Sequence, residues 1–170
     1  MEDPITGWST FALAILSVAG VGISYWGIRK QARSFAASVS ADLCLKLLDR
    51  FESREMQIVR SNAATALRAR SGLRAADDVF DFFEIIGLYV RLGTLDKELA
   101  HSFFFHWINL YWHVGKEYIF KSRKRSSEIY RDFEGLYRTV LEIEMKNDPK
   151  SRDLDPTDAE VDSFLAQEIG

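Results

Sequence analysis

Proline occurs three times in 170 residues, glycine ten times and cysteine once, as Cys44. A single thiol excludes an intrachain disulfide and fits a reducing compartment. With so few breakers the chain keeps long uninterrupted stretches: neither Pro nor Gly occurs between Ile28 and Ser71, and no segment alternates in the two-residue rhythm of a half-buried strand. A dominant charge sign is also missing. Lys and Arg total 22 against 25 Asp and Glu, a net of -3, which supplies no general basic field for nucleic acid. There is no HExxH, no CxxC pair and no G-x-S-x-G, so zinc-protease, zinc-ribbon and serine-hydrolase signatures are absent. Gly20 and Gly22 form a G-x-G inside an apolar run, where it is an accident of composition and not a nucleotide-binding loop. A hydrophobic share of 47% excludes general disorder, and the length suits one domain plus an anchor.

The most informative absence is at the start. From Pro4 to Ile28 there is no Asp, Glu, Lys, Arg or His. At about 1.5 Å per helical residue, 5–28 is long enough for a hydrocarbon core of about 30 Å. Trp8 stands near one end and Tyr25 with Trp26 near the other, the headgroup positions that amphipathic rings prefer. Glu2 and Asp3 precede the run, whereas Arg29, Lys30 and Arg33 follow it at once. These flanks predict a single membrane span with the N-terminus outside and the rest cytoplasmic, as in a bacterial inner membrane. A signal peptide needs the opposite start, with a basic leader. Within the span, Ser17, Gly20, Ser24 and Gly27 lie near one stripe. They predict a packing face for a second copy or a partner's helix, although small residues are common in spans. Arg29, Lys30 and Arg33 are expected at anionic headgroups.

Beyond the span every segment reads as helix. Phe35, Val39, Leu43, Leu47 and Phe51 recur every four residues, an apolar stripe expected to pack on other helices. Ser53 is placed to cap a second helix that Gly72 ends. Asp77 opens a third, closed by Gly93. Asp96 caps a fourth reaching about Arg123, Ser126 a fifth ending before Pro149, and Asp155-Pro156 opens a short last helix with Val161, Phe164 and Leu165 inward. The expected architecture is all-α: an exposed N-terminus (1–4), a transmembrane helix (5–28), a juxtamembrane helix packing onto the domain (29–52), an antiparallel cytoplasmic helical bundle (53–147) and an acidic C-terminal segment (148–170). Charge is uneven along it. Ten bases face four acids between Arg29 and Arg74, and seven acids face two bases from Asp148 onward.

The third and fourth helices hold most of the aromatic residues and should form the core. The stretch D-F-F-E-I-I-G-L-Y-V-R-L-G-T-L-D-K-E-L from Asp81 to Leu99, with W-I-N-L-Y-W from Trp107 to Trp112 and R-K-R from Arg123 to Arg125, resembles a bacterial family of small helical proteins. That family is known only as a domain of unknown function, often with an N-terminal membrane anchor. The resemblance spans roughly Val39 to Tyr137. It implies a helical fold and a membrane location, and it brings no activity and no site residue.

The candidate chemistry is sparse. Ser102, His106, Asn109, His113 and Glu117 step by four, three, four and four along the fourth helix, and Asp77, Asp81, Glu84 and Arg91 along the third. Such stripes are usually solvated faces. Facing each other, they would form a polar seam of Glu84, His106, Asn109, His113 and Glu117 able to poise an acid and a histidine. His106 and His113 lie about 10.5 Å apart along the helix, too far for one zinc, so neither metal nor cofactor is expected and no catalytic residue is assigned. The basic group Lys121, Arg123, Lys124 and Arg125 suits its helix end, a lipid surface or an acidic partner. The reading that uses every feature is a membrane-tethered interaction module without catalysis, with the bilayer, a protein partner or its own copy as contacts and no nucleic acid. The alternatives are a sensor or hydrolase with a site between the third and fourth helices, and an oligomerising membrane effector dependent on Gly20 and Ser24.

Overall fold

The structure, a computed structural model, describes residues 4–148 and 155–170, with side chains described over 27–148 and 155–170. Among these residues there are six α-helices, one short 3-10 turn and no strand. The chain divides into two compact units, one up to Val39 and one from Ser40 to Gly170.

The first unit is helical. It holds the beginning of α1 (Pro4–Glu52). Ile28 is 65% exposed, Phe35 73% and Val39 41%. The upper half of the expected packing stripe therefore lies open, whereas in the second unit Leu43 is half-buried and Leu47 and Phe51 are buried. Among the described residues no helix is long and apolar enough to cross a membrane. The expected span over 5–28, with Ser17, Gly20 and Ser24 of its small-residue face, falls almost wholly on residues whose side chains lie outside the described set. Gly27 is half-buried, and nothing within 4 Å would meet a side chain there.

The second unit is built from the end of α1, α2 (Arg54–Ala69), the 3-10 turn Leu73–Ala76, α3 (Asp77–Arg91), α4 (Lys97–Ser122), α5 (Arg131–Asn147) and α6 (Asp158–Ile169). Two starts follow from local chemistry. Ser53 Oγ accepts from the Met56 amide at 3.2 Å, and Asp96 Oδ1 accepts from the Glu98 and Leu99 amides at 2.9 and 3.2 Å, so each relieves orphan donors of a first turn. The Asp96 amide in turn donates to Ser40 Oγ at 2.7 Å, tying the α3–α4 corner to α1.

Three boundaries differ from the sequence reading. Helix α2 ends on Arg70 in the left-handed region (φ 50°), before Gly72. The last helix is capped by Thr157, whose hydroxyl accepts from the Glu160 amide while the Glu160 carboxylate accepts from the Thr157 amide. This capping box displaces Pro156 from the first helical turn. Helix α5 begins at Arg131, five positions after Ser126, and its N-cap residue, Tyr130, is left-handed (φ 53°) with no side-chain cap bond.

The core centres on Phe51, fully buried, whose ring lies 5.2 Å from Phe82, 5.9 Å from Phe83, 5.8 Å from Phe104 and 5.1 Å from Trp107. Phe133 makes a second focus, 5.2 Å from Phe83, 5.9 Å from Phe80 and 5.3 Å from Trp112. Aromatic pairs at such separations add about 0.5–1.5 kcal/mol each beyond simple burial, so α3, α4, α5 and the end of α1 form one cohesive core.

Candidate functional site

The polar stripe of α3 turns towards the beginning of α5. Glu84 Oε2 accepts from the Phe133 amide at 2.7 Å, and Arg91 donates to both carboxylate oxygens of Asp132, at 2.8 and 3.0 Å. Between them stands Gly87. A Cβ on Gly87 would lie 2.1 Å from the Asp132 carbonyl oxygen, so only hydrogen on that Cα admits the first turn of α5. Glu84, Gly87 and Arg91 share one helical face by their spacing of three and four. Glu84 is thus the cap that α5 lacks in its own sequence, supplied across the bundle.

Two further groups complete this framework. Arg123, 18% exposed, donates to the carbonyls of Ile129 and Tyr130 at 2.8 and 2.9 Å and pairs with Glu134, holding the α4–α5 connection closed. Of the basic group at the end of α4, Arg123 is therefore a structural tie, while Lys121, Lys124 and Arg125 are exposed. Asp77 accepts from the hydroxyls of Tyr118 and Tyr130 at 2.9 and 3.1 Å, which steadies the left-handed Tyr130.

Burial raises the Glu84 carboxyl above its ordinary range, against the pull of the Phe133 and Asp132 amides. Its folded pKa lies above its unfolded one, so its contribution to stability is complete below the ordinary glutamate range and declines as pH rises through the folded value. Glu84→Gln retains an acceptor and removes the ionisation. Urea midpoints measured from about pH 4 to about pH 7 should show the variant gaining on the wild type with rising pH. Parallel curves would show that Glu84 ionises as freely in the bundle as in water. Asp132 is shifted the other way, held low mainly by the Arg91 hydrogen bond. It is common to both proteins and cancels in the comparison.

The α4 seam does not meet Glu84. His106 and Asn109 instead line a crevice of about 360 Å³ between α4, α5 and α6, with Phe105, Glu144, Glu160 and Phe164 among its other walls. The His106 ring stands edge-on to Phe164 at 5.9 Å. His113 lies at the same helix face with Nδ1 4.0 Å from Asp155 Oδ1, and burial, aided by Lys116, lowers its imidazole below the usual range. Glu117 is exposed. The expected seam of five is thus divided: Glu84 serves α5, and His106, Asn109 and His113 face the C-terminal segment. His101, at the start of α4, pairs with Glu144 of α5 at 2.8 Å. Among the described residues no three His, Cys, Asp or Glu side chains are placed to hold a metal ion.

One cluster was not legible in the sequence. Glu168, with its side chain 8% exposed, accepts from Tyr111 Oη at 2.7 Å and Trp107 Nε1 at 3.3 Å, and lies 3.2 Å from Arg60 Nε. Arg60 also stacks its guanidinium 4.2 Å above the Phe51 ring. Its Nε makes no well-aligned hydrogen bond, so the attraction to Glu168 is chiefly that of an ion pair. Burial, then the Glu168 charge, drives the Tyr111 hydroxyl far above its ordinary range and keeps it a donor. Through Glu168, α6 is fastened to α2 and α4 together. The residues come from three helices, and Glu168 reads in sequence as one more acid of an acidic tail.

Comparison with known proteins gives one family. A model described as a domain of unknown function (DUF4760) matches residues 14–140. No curated protein and no solved structure matches significantly. The match takes in most of α1, all of α2 to α4 and the whole Glu84, Gly87 and Arg91 framework with its α5 partners, and stops short of α6.

Proposed function

The chain belongs to the DUF4760 family, and from that premise we propose that it is a membrane-tethered helical interaction module, an adaptor or accessory subunit without a reaction of its own. The observation that carries this reading is the use made of its polar side chains. Glu84, Arg91, Arg123, His101 and Glu168 each join one segment of the bundle to another. Groups held in place by such ties make a rigid body with a defined surface, which is what an adaptor requires. The tether is supported by the charge-free run from Pro4 to Ile28 and by the acids before it and bases after it. By the same flanks the bundle lies on the cytoplasmic side of a bacterial inner membrane. Arg29, Lys30 and Arg33 are exposed, and each cation near an anionic surface contributes about 1 kcal/mol.

The test is to express the full chain in a bacterial host together with its neighbouring genes, wash the membranes with alkaline carbonate, and record a native mass spectrum of what detergent then extracts. Retention through the wash with a second protein at fixed stoichiometry is the expected result. Release by carbonate overturns the tether, and retention without a second protein overturns the adaptor. The crevice beside His106 and Asn109 favours a second reading, a ligand-responsive sensor. A small bound mass in the same spectrum, lost on His106→Ala, is the outcome that would put it first.

A further inference from the structure

We infer that the crevice between α4, α5 and α6 binds a linear aliphatic polyamine lengthwise, with ammonium groups at Glu144 towards one end and at Asp155 towards the other. The inference goes beyond the adaptor reading and gives the crevice of the second reading its ligand class. It rests on neither the tether nor a partner. At about 360 Å³ the crevice stands at the lower end of the range of about 300–1,000 Å³ that small-molecule sites occupy.

Its lining carries one sign of fixed charge. Glu144, Asp155 and Glu160 bring carboxylates from three separate segments, and no Lys or Arg is among the described lining residues. Lys116 bears on His113 nearby and does not line the crevice. The carboxylates keep oxygens for a ligand. Glu144 uses Oε2 for His101 at 2.8 Å, and Glu160 uses Oε2 for both the amide and the hydroxyl of Thr157, which leaves Oε1 of each outside those bonds. Asp155, its side chain 70% exposed, stands 4.0 Å from His113 Nδ1.

Two observations favour an extended cation over a compact one. His101 and His113 are separated by about 18 Å of helix rise along α4, so the carboxylates they face stand towards opposite ends of the crevice, with His106 and Asn109 on the helix between. Among the described residues no three acidic, histidine or cysteine side chains converge to hold a metal ion. A single ion therefore meets this charge in part, whereas a chain with an ammonium at each end meets both. The lining also includes Phe105 and the buried Leu110 and Phe164. Apolar surface of this kind suits methylene groups, and ring faces attract the cations beside them.

Calorimetric titration of the full chain in uncharged detergent tests this with spermidine as the probe and n-butylamine, magnesium and trilysine as comparisons. Spermidine should bind one to one and about tenfold tighter than n-butylamine or magnesium, the factor that one charge-assisted contact supplies. Asp155→Asn and Glu160→Gln should each weaken it about tenfold, and Glu160→Gln keeps an acceptor for the Thr157 amide. Asp49→Asn, at an exposed acid of α1 outside the crevice, should leave binding unchanged. The ligand series on the parent protein decides even where a variant fails to fold. No binding at about 1 mM spermidine, equal affinity for n-butylamine or magnesium, or an equal loss in Asp49→Asn each overturns the inference. Tighter binding of trilysine does so as well and assigns the crevice to a basic peptide segment. Spermidine bound by a chain that keeps no partner protein leaves this inference standing and removes the adaptor; a retained partner without spermidine binding does the reverse.

Discussion

Arg60→Met and Glu168→Leu should each destabilise the bundle by about 3–5 kcal/mol, and the double variant should recover much of that loss. Removing Arg60 leaves a carboxylate that is 8% exposed with only the Tyr111 hydroxyl and the Trp107 indole as partners. Removing Glu168 leaves a guanidinium above Phe51, together with the Tyr111 hydroxyl and the Trp107 indole N–H, which have lost their acceptor. An apolar pair in the same space removes the desolvation penalty from both sides, which is why replacing a buried ion pair costs less than breaking it. Unfolding of the three variants and the parent by urea, followed by tryptophan fluorescence because Trp107 lies at the site, gives the coupling. Non-additivity of about 1.5 kcal/mol or more is expected for groups in direct contact. Costs that add to within about 0.5 kcal/mol would show that Arg60 and Glu168 are not energetically coupled.

The second large effect concerns a glycine and is a test of sign. Gly87→Ala should destabilise by about 1–3 kcal/mol, because the new methyl would overlap the Asp132 carbonyl, a backbone group that no rotamer change can move aside. Gly135→Ala, in α5 where nothing lies within 4 Å of the added carbon, should stabilise by about 0.5–1 kcal/mol through helix propensity. Both are glycine-to-alanine changes inside a helix, so propensity alone predicts the same gain for each. Thermal melts followed by circular dichroism separate them. A stabilised Gly87→Ala would mean that α5 does not approach α3 as closely as the 2.1 Å separation requires.

These two sites also mark where the sequence stopped being readable. Caps that act within a few residues were legible. Ser53 and Asp96 were placed correctly because the side chain and the amide it serves lie in the same turn. Gly93 was rightly set just past α3, at φ 70°. The start of α5 was misplaced because Ser126 has the chemistry of a cap while the acceptor in use is Glu84, 49 positions from the Phe133 amide that it serves. Nothing local announces that. The polar stripe on α3 was seen as a stripe, yet periodicity gives a face and not what the face meets. Read chiefly as a solvated face, with α4 as the alternative partner, it meets the start of α5 through Glu84 and Arg91 and reaches α4 only through Asp77 and Tyr118. The His106, Asn109 and His113 face was likewise read without the helix that lies against it, since α6 is distant in sequence, within the acidic C-terminal segment. The resemblance included the run F-F-E-I-I-G, and the bundle gives it a physical meaning: Phe83 in the core, Glu84 on an amide, and Gly87 at a contact too close for any side chain.

The borrowed cap of α5 also bears on the order in which the bundle assembles. A helix with its own N-cap can nucleate before it meets the rest of the protein, because its first turn already has acceptors. Helix α5 opens from a left-handed Tyr130 without such a side chain, so in isolation its first amides have only water to bond. The docked α3 supplies the missing acceptor, the space and the counterion in consecutive turns. The pairing of α3 with α5 is therefore one cooperative event, and the 131–147 segment gains a fixed beginning only once α3 has formed.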